Sequence, residues 1–230
     1  MDDNRILLLE DDPNLGFVIR EHLEAHGFKV MLKTNGVEGM EEAKKARFDL
    51  LLVDVMMPKK DGFTFTREFR MKDAATPIIF LTAKSLKEDR VEGFRIGGDD
   101  YVTKPFSIDE LLLRIKAVLR RTKGAPAKEE EGGTYTLGKL TFDQRRQTLA
   151  NGKKEQNLTS RETQLLKLFA SRPNQVVERS EILQTVWGDD NIFNGRSLDV
   201  FVSKLRKYLA SDPSLEIKSV HGKGYRLVVP

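Results

Sequence analysis

LLLEDDPN, residues 7–14, is a leucine run that stops on three adjacent acids and a proline. Apolar residues with no turn signal read as a buried strand. Glu10, Asp11 and Asp12 repel one another, so a strand ending on them needs a positive group in their midst. Pro13 suits the first position of a helix, and Asp12 before it reads as that helix's N-cap. The stretch is therefore a strand end, an acidic turn and a helix start.

The pattern repeats outward from there. Arg5–Leu9 reads as a strand and Pro13–His26 as a helix with Leu15, Val18, Ile19 and Leu23 apolar. Phe28–Leu32, Leu50–Val53, Pro77–Leu81 and Tyr101–Val102 read as further strands. Val37–Ala46, Phe63–Met71, Lys87–Ile96 and Ile108–Arg121 read as the helices that alternate with them. Strict alternation implies a parallel sheet with right-handed crossovers and helices on both faces. The runs ILLL, LLLV and IIFL lack the alternation of a half-exposed strand, as buried parallel strands should. In such sheets the site lies beyond the carboxyl ends of the strands.

Those ends carry Glu10 and Asp11, Asp54, Thr82 and Lys104. Asp54 is flanked by Val53, Val55, Met56 and Met57, an apolar setting in which a carboxylate needs a partner. Carboxylate oxygens suit a hard divalent cation such as Mg²⁺, which answers the need for positive charge. A carboxylate beside Mg²⁺ can attack a phosphoryl group and form an aspartyl phosphate, with Lys104 and Thr82 placed for phosphoryl oxygens.

The 230 residues include no cysteine, which removes disulfides and thiolate metal sites. No run approaches a membrane span, and a cytoplasmic protein is expected. The net charge of +4 is unevenly spread. Residues 1–123 are neutral, whereas residues 134–230 carry 16 Lys and Arg against 10 Asp and Glu. Between them TKGAPAKEEEGGT, 122–134, has the Gly, Pro and charge of a linker. The expected organisation is a first domain over 1–122, a linker over 123–133 and a basic domain over 134–230, the half to meet a polyanion.

LLLEDD, DLLLVDVMMPKKDG, PIIFLTA and GGDDYVTKPF together resemble the receiver domain of bacterial two-component response regulators, over the whole first half. The resemblance implies a five-stranded, doubly wound, flavodoxin-like fold. It makes Asp54 the phosphoacceptor, served by a sensor histidine kinase. Glu10, Asp11, Asp54 and the Met56 main-chain carbonyl would hold Mg²⁺; Thr82 and Lys104 would bind the phosphoryl group. Tyr101 would be a switch residue that fills space vacated by Thr82. Gly98 departs from the usual Ala and is expected to loosen its turn. A phosphohydrolase using Asp54 would want a proton donor two residues on, where Met56 stands, so a non-enzymatic regulator is expected.

In the basic half, short strands broken by Gly138, Asp143 and Asn151-Gly152 read as a small antiparallel sheet. TSRETQLLKLFASRP has Thr159 or Ser160 as N-cap with Glu162 behind it. ERSEILQTVWG is a second helix, and NGRSLDVFVSKLRKYLASDP a third with Leu198, Phe201, Val202, Leu205 and Leu209 on one face. A ribbon tipped by Gly222-Lys223-Gly224 follows. This is the outline of an α+β winged helix-turn-helix domain that reads double-stranded DNA. LTSRETQLLKLFASRPNQVVERSEILQTVWG, RSLDVFVSKLRK and VHGKGYRL resemble the effector domain of the OmpR/PhoB subfamily. The resemblance puts Arg196 and Arg206 on phosphates, Lys204 on base edges and Lys223 at the wing tip, with Ser203 and Lys207 on the same helix face. It also implies a homodimer on phosphorylation, pairing Arg90 with Glu110, Asp99 with Arg114 and Asp100 with Arg121 around an apolar Ile96 and Leu111–Leu112 region. Tandem DNA sites and RNA polymerase are the further partners to expect.

Overall fold

The computed structural model describes residues 4–83, 87–122, 133–188 and 192–230, with all their side chains except those of 87–90, 121–122 and 192–196. The chain divides into two compact units, Met1–Ala125 and Pro126–Pro230. The expected linker, apart from Gly133, lies outside the described residues.

The first unit alternates strands and helices as its apolar runs require. The strands are β1 (Arg5–Leu9), β2 (Lys29–Lys33), β3 (Leu50–Asp54), β4 (Ile78–Thr82) and β5 (Asp100–Thr103). The helices are α1 (Pro13–Ala25), α2 (Gly36–Lys45), α3 (Gly62–Arg70), α4 (Lys87–Arg95) and α5 (Ile108–Thr122). All strand pairs are parallel, in the order β2-β1-β3-β4-β5. The chain leaves β1 in one direction and returns on its other side, so the loops after β1 and β3 diverge and open a crevice there.

Both faces of the sheet are covered. Ile6, Leu8, Leu50, Leu52, Ile79, Leu81 and Val102 pack with Ile19 and Leu23 of α1 and Leu111, Ile115 and Leu119 of α5. Each such side chain contributes about 1.5–3 kcal/mol by leaving water. The alternate residues Leu7, Leu9, Leu51, Val53, Ile78 and Phe80 are also fully buried, which is why the strands read as unbroken apolar runs. Asp12 caps α1, its Oδ1 accepting from the N–H groups of Asn14 at 2.9 Å and Leu15 at 3.2 Å.

The second unit opens with an antiparallel sheet of β6 (Thr134–Leu137), β7 (Leu140–Asp143), β8 (Thr148–Asn151) and β9 (Lys154–Asn157). Helices α6 (Ser160–Ala170), α7 (Arg179–Val186) and α8 (Ile192–Leu209) follow. The short β10 (Val177–Glu178) joins β11 (Glu216–Val220) and β12 (Gly224–Val228) in a three-stranded sheet. Thr159 is the N-cap of α6 in a full capping box with Glu162. Asp212, 2% exposed, ties the two sheets, accepting from the Lys139 N–H at 2.7 Å and the Ser214 N–H at 3.0 Å.

Gly98 stands where a side chain would not fit. A Cβ there would lie 2.6 Å from the ring of Phe80 and 3.0 Å from the Gly93 carbonyl oxygen. The missing methyl makes room for a large aromatic on β4. Gly98→Ala should therefore cost about 1–3 kcal/mol by overpacking. Phe80→Leu added to it should recover part of the loss. Unfolding midpoints in urea check this; a Gly98→Ala midpoint equal to wild type would contradict the packing.

Candidate functional site

The crevice between β1 and β3 gathers the acids. Ligand oxygens of Glu10, Asp11 and Asp54 all lie within 4.8 Å of one another. Glu10 and Asp54 are 1% and 4% exposed, whereas Asp11 faces solvent. The loop from β3 to α3 folds closely over this point: a Cβ on Gly62 would stand 2.2 Å from the Asp54 carbonyl oxygen, so only glycine fits. The Met56 N–H donates to Asp54 Oδ1 at 2.9 Å and orients that carboxylate.

The positive group among the acids is Lys104. Its Nζ donates to Asp54 Oδ2 at 2.6 Å and to the two Glu10 oxygens at 2.7 and 2.8 Å. Lys104 follows β5 and is joined to Pro105 by a cis peptide; its N–H donates to the Thr82 carbonyl at 2.7 Å. Burial raises the Glu10 carboxyl to about 7 against the lowering effect of the Lys104 bond. Burial works to lower the Lys104 ammonium, but its bonds to Asp54 and Glu10 outweigh that and raise it. The arrangement holds a buried carboxylate, Asp54, against an ammonium, with two further acids alongside and the buried Thr82 at the end of the neighbouring strand. Three oxygen donors of this kind fit a hard divalent cation. A carboxylate so placed can act as a nucleophile toward phosphorus.

Tyr101 does not stand out in solvent. Its ring is 2% exposed, with ring centroids of Phe80 and Phe94 at 6.1 and 6.4 Å. The ring is therefore packed among the aromatics of β4 and α4. Phe17, Val18 and Met56 are 52%, 49% and 54% exposed; Val18, expected on the apolar face of its helix, stands out in solvent, and Phe17 is an apolar residue the sequence pattern did not single out. Their signal was present, since Phe17 and Val18 fall in the helix that starts right after the acids.

Two expectations, one about a charged pair and one about an apolar region, need correction. Asp99 is 1% exposed and internal: its Oδ2 accepts from Arg70 Nη2 at 3.1 Å and from the Ile78 N–H at 2.9 Å, so it cannot serve Arg114 of another copy. Arg114 instead meets Asp100 at 3.3 Å and Glu110 at 3.0 Å in its own chain. Leu111 and Leu112 point into the core, and Leu113, 68% exposed, is the apolar residue α5 offers to solvent. The side chains of Arg90 and Arg121 lie outside those described.

In the second unit, Ser203, Arg206, Lys207 and Lys223 are exposed. Arg206 is tied to β11, donating to the Ile217 carbonyl at 2.8 Å and the Ser219 hydroxyl at 2.9 Å. The Lys223 carbonyl at the wing tip accepts the Arg179 N–H at 2.9 Å. Lys204 also departs from expectation. It turns inward to Glu162, with Nζ 2.5 Å from Oε1, because that buried carboxylate needs a counter-charge. The Arg196 side chain lies outside those described.

Comparison with known proteins agrees with both units. Residues 6–116 match the response regulator receiver domain, and residues 153–227 match the C-terminal domain of transcriptional regulatory proteins. The transcriptional regulatory protein RprY of Bacteroides fragilis is 52% identical over 226 residues, 98% of this chain and 95% of that protein. The response regulator MprA of Mycobacterium leprae is 39% identical over 224 residues, covering 97% of each. Among solved structures, a mutant of RitR superposes with a TM-score of 0.77 at 26% identity over 99% of this chain and 100% of that one. DrrB of Thermotoga maritima, described as an OmpR/PhoB homolog, superposes with a TM-score of 0.52 at 30% identity over 98% of this chain and 99% of that one. With a receiver fold that gathers acids at the ends of β1 and β3 and a winged helix after it, the chain belongs to the response regulators of the OmpR/PhoB type, transcriptional regulators that join a receiver to a DNA-binding domain.

Proposed function

We propose that Asp54 accepts a phosphoryl group from a histidine kinase and that this controls DNA binding through dimerisation. The observation that carries the reading is the Asp54 carboxylate, buried and held at 2.6 Å by Lys104. An Asp54 oxygen attacks phosphorus, the P–N bond of the donor phosphohistidine breaks, and the imidazole leaves with its electron pair. Lys104 is placed to hold an oxygen of the transferred group, and the Thr82 hydroxyl to donate to another. Glu10, Asp11, Asp54 and the Met56 carbonyl would hold Mg²⁺, which when bound neutralises charge on the phosphoryl oxygens. The exposed Phe17, Val18 and Met56 offer an apolar edge for the kinase beside the acids. A cytoplasmic location suits such partners; among the described residues no helix is long and apolar enough to cross a membrane.

Dimerisation through α4, β5 and α5 is supported by the exposed Leu113 set beside Glu110 and Arg114. Two receivers paired this way would place two winged helices on tandem DNA sites, from which RNA polymerase is recruited or excluded. Lys223, Lys207 and Arg196 are the phosphate-facing candidates. Domain limits of 1–122 and 134–230, with a linker at 123–133, suit this division of labour. A second reading, a dimer that forms without phosphorylation, is favoured by the ring of Tyr101 being already buried.

Sedimentation of the full chain with Mg²⁺ and beryllofluoride, a phosphoryl mimic, separates the two. Wild type should pass from monomer to dimer on adding the mimic. Asp54→Asn should stay monomeric, and Leu113→Arg should still take up phosphoryl from a small-molecule donor yet fail to dimerise. A wild-type dimer without the mimic, matched by Asp54→Asn, would replace the first reading with the second.

The titration of Glu10 gives a pH test. Its pKa is raised in the folded state, from 4.5 to about 7, so the folded protein holds an extra proton between those values. Stability on this account falls as pH rises through that window. Cation binding needs the ionised form, so Mg²⁺ affinity by calorimetry should rise several-fold, up to about tenfold, from pH 6 to pH 8. Glu10→Gln should abolish the rise; a flat wild-type profile would contradict the assignment.

A further inference from the structure

We propose that Lys204 positions the recognition helix α8 and does not read DNA, and that base readout falls to the exposed face headed by Ser203. The inference rests on the DNA-binding role of the second unit and goes on to say which of its side chains read.

Glu162 is 1% exposed, and each of its oxygens is committed. Oε2 accepts the Thr159 N–H at 2.9 Å and closes the α6 capping box. Oε1 accepts from Lys204 Nζ at 2.5 Å, with the Tyr208 hydroxyl at 3.4 Å. The Lys204 ammonium also lies 5.6 Å from the centroid of the Phe201 ring, a cation–π contact on its own helix. Burial and the Glu162 carboxylate both raise the Tyr208 phenol, so it remains a donor at neutral pH.

Moving Lys204 out to a base edge would strip Glu162 of its cation and leave a carboxylate buried and unpaired. That is far costlier than one groove contact is worth. Lys204 therefore stays with α6, and the pair sets the seating of α8 on it. Elsewhere on α8, Asp199 accepts from Nη1 and Nη2 of Arg179, at 2.9 and 3.2 Å, and from the Tyr225 hydroxyl at 2.7 Å. Arg206 is bound to β11. Among the described α8 side chains, Ser203 and Lys207 are exposed and outside these bonds. Ser203 is one residue from Lys204 and so turned about 100° from it. A serine hydroxyl donates or accepts, so it reads a base edge less strictly than an arginine fork would.

The test uses the full-length protein and duplexes recovered from a random pool by wild type. Failure to recover any preferred duplex would count against DNA binding itself. Given such duplexes, binding is followed by fluorescence anisotropy across a salt series, and the selection is repeated with each variant. Lys204→Gln should weaken binding by about tenfold or more by unseating α8, with the salt slope unchanged. Glu162→Gln added to it removes the orphaned charge, and the double variant should return to within about threefold of wild type with the same base preferences. Ser203→Ala should relax preference at one base pair. If Lys204→Gln fails to fold, the double variant alone decides. A double variant that does not recover, that loses preference at a base pair, or whose salt slope falls by about 1 would overturn the proposal, because a contact to DNA cannot be rescued by changing Glu162.

Discussion

The ammonium of Lys104 stands between two buried carboxylates, and the architecture of the first unit is what brings it there. Glu10 follows β1, Asp54 ends β3 and Lys104 follows β5, separated by as many as 94 residues. Lys104 can reach both acids because β4 alone separates β3 from β5 and all strands run the same way. An uncompensated buried carboxylate would cost several kcal/mol. The same charge pattern suits reaction, since an ammonium beside an acid can hold a group attached to that acid.

The fold was legible because its signal is local. Five-residue apolar runs and the helix periods between them need no knowledge of distant partners, and the strand ends matched to within a residue or two. The acid cluster was legible for a related reason: Glu10, Asp11 and Asp54 are chemically conspicuous against leucines. That the positive partner is Lys104 was not, because adjacency across a sheet is not written in any single stretch.

The misreadings share one cause. Asp99, Lys204 and Leu111–Leu112 were placed on surfaces by family resemblance, yet the direction of a side chain depends on what is packed against its element. Asp99 is taken up by Arg70, 29 residues earlier. Lys204 is taken up by Glu162, 42 residues earlier. On α5, successive residues turn about 100°, so a one-residue shift separates the buried Leu112 from the exposed Leu113. The second unit in particular is held by such charged struts: Glu162 with Lys204, Asp212 with the β6–β7 turn, and Arg179 with Asp199 and Tyr225. They seat the helix and wing and leave Ser203, Lys207 and Lys223 exposed.

The Lys104 bridge holds the first unit's site together, and a double-mutant cycle on the full chain reads it directly. Lys104→Met, measured by urea unfolding of the receiver in Mg²⁺-free buffer, should cost about 3–5 kcal/mol in the wild-type background, where it strands two buried acids. In a Glu10→Gln, Asp54→Asn background the same change should cost less than about 1 kcal/mol, because nothing is left to strand. Equal losses in the two backgrounds would contradict the bridge and the site built on it.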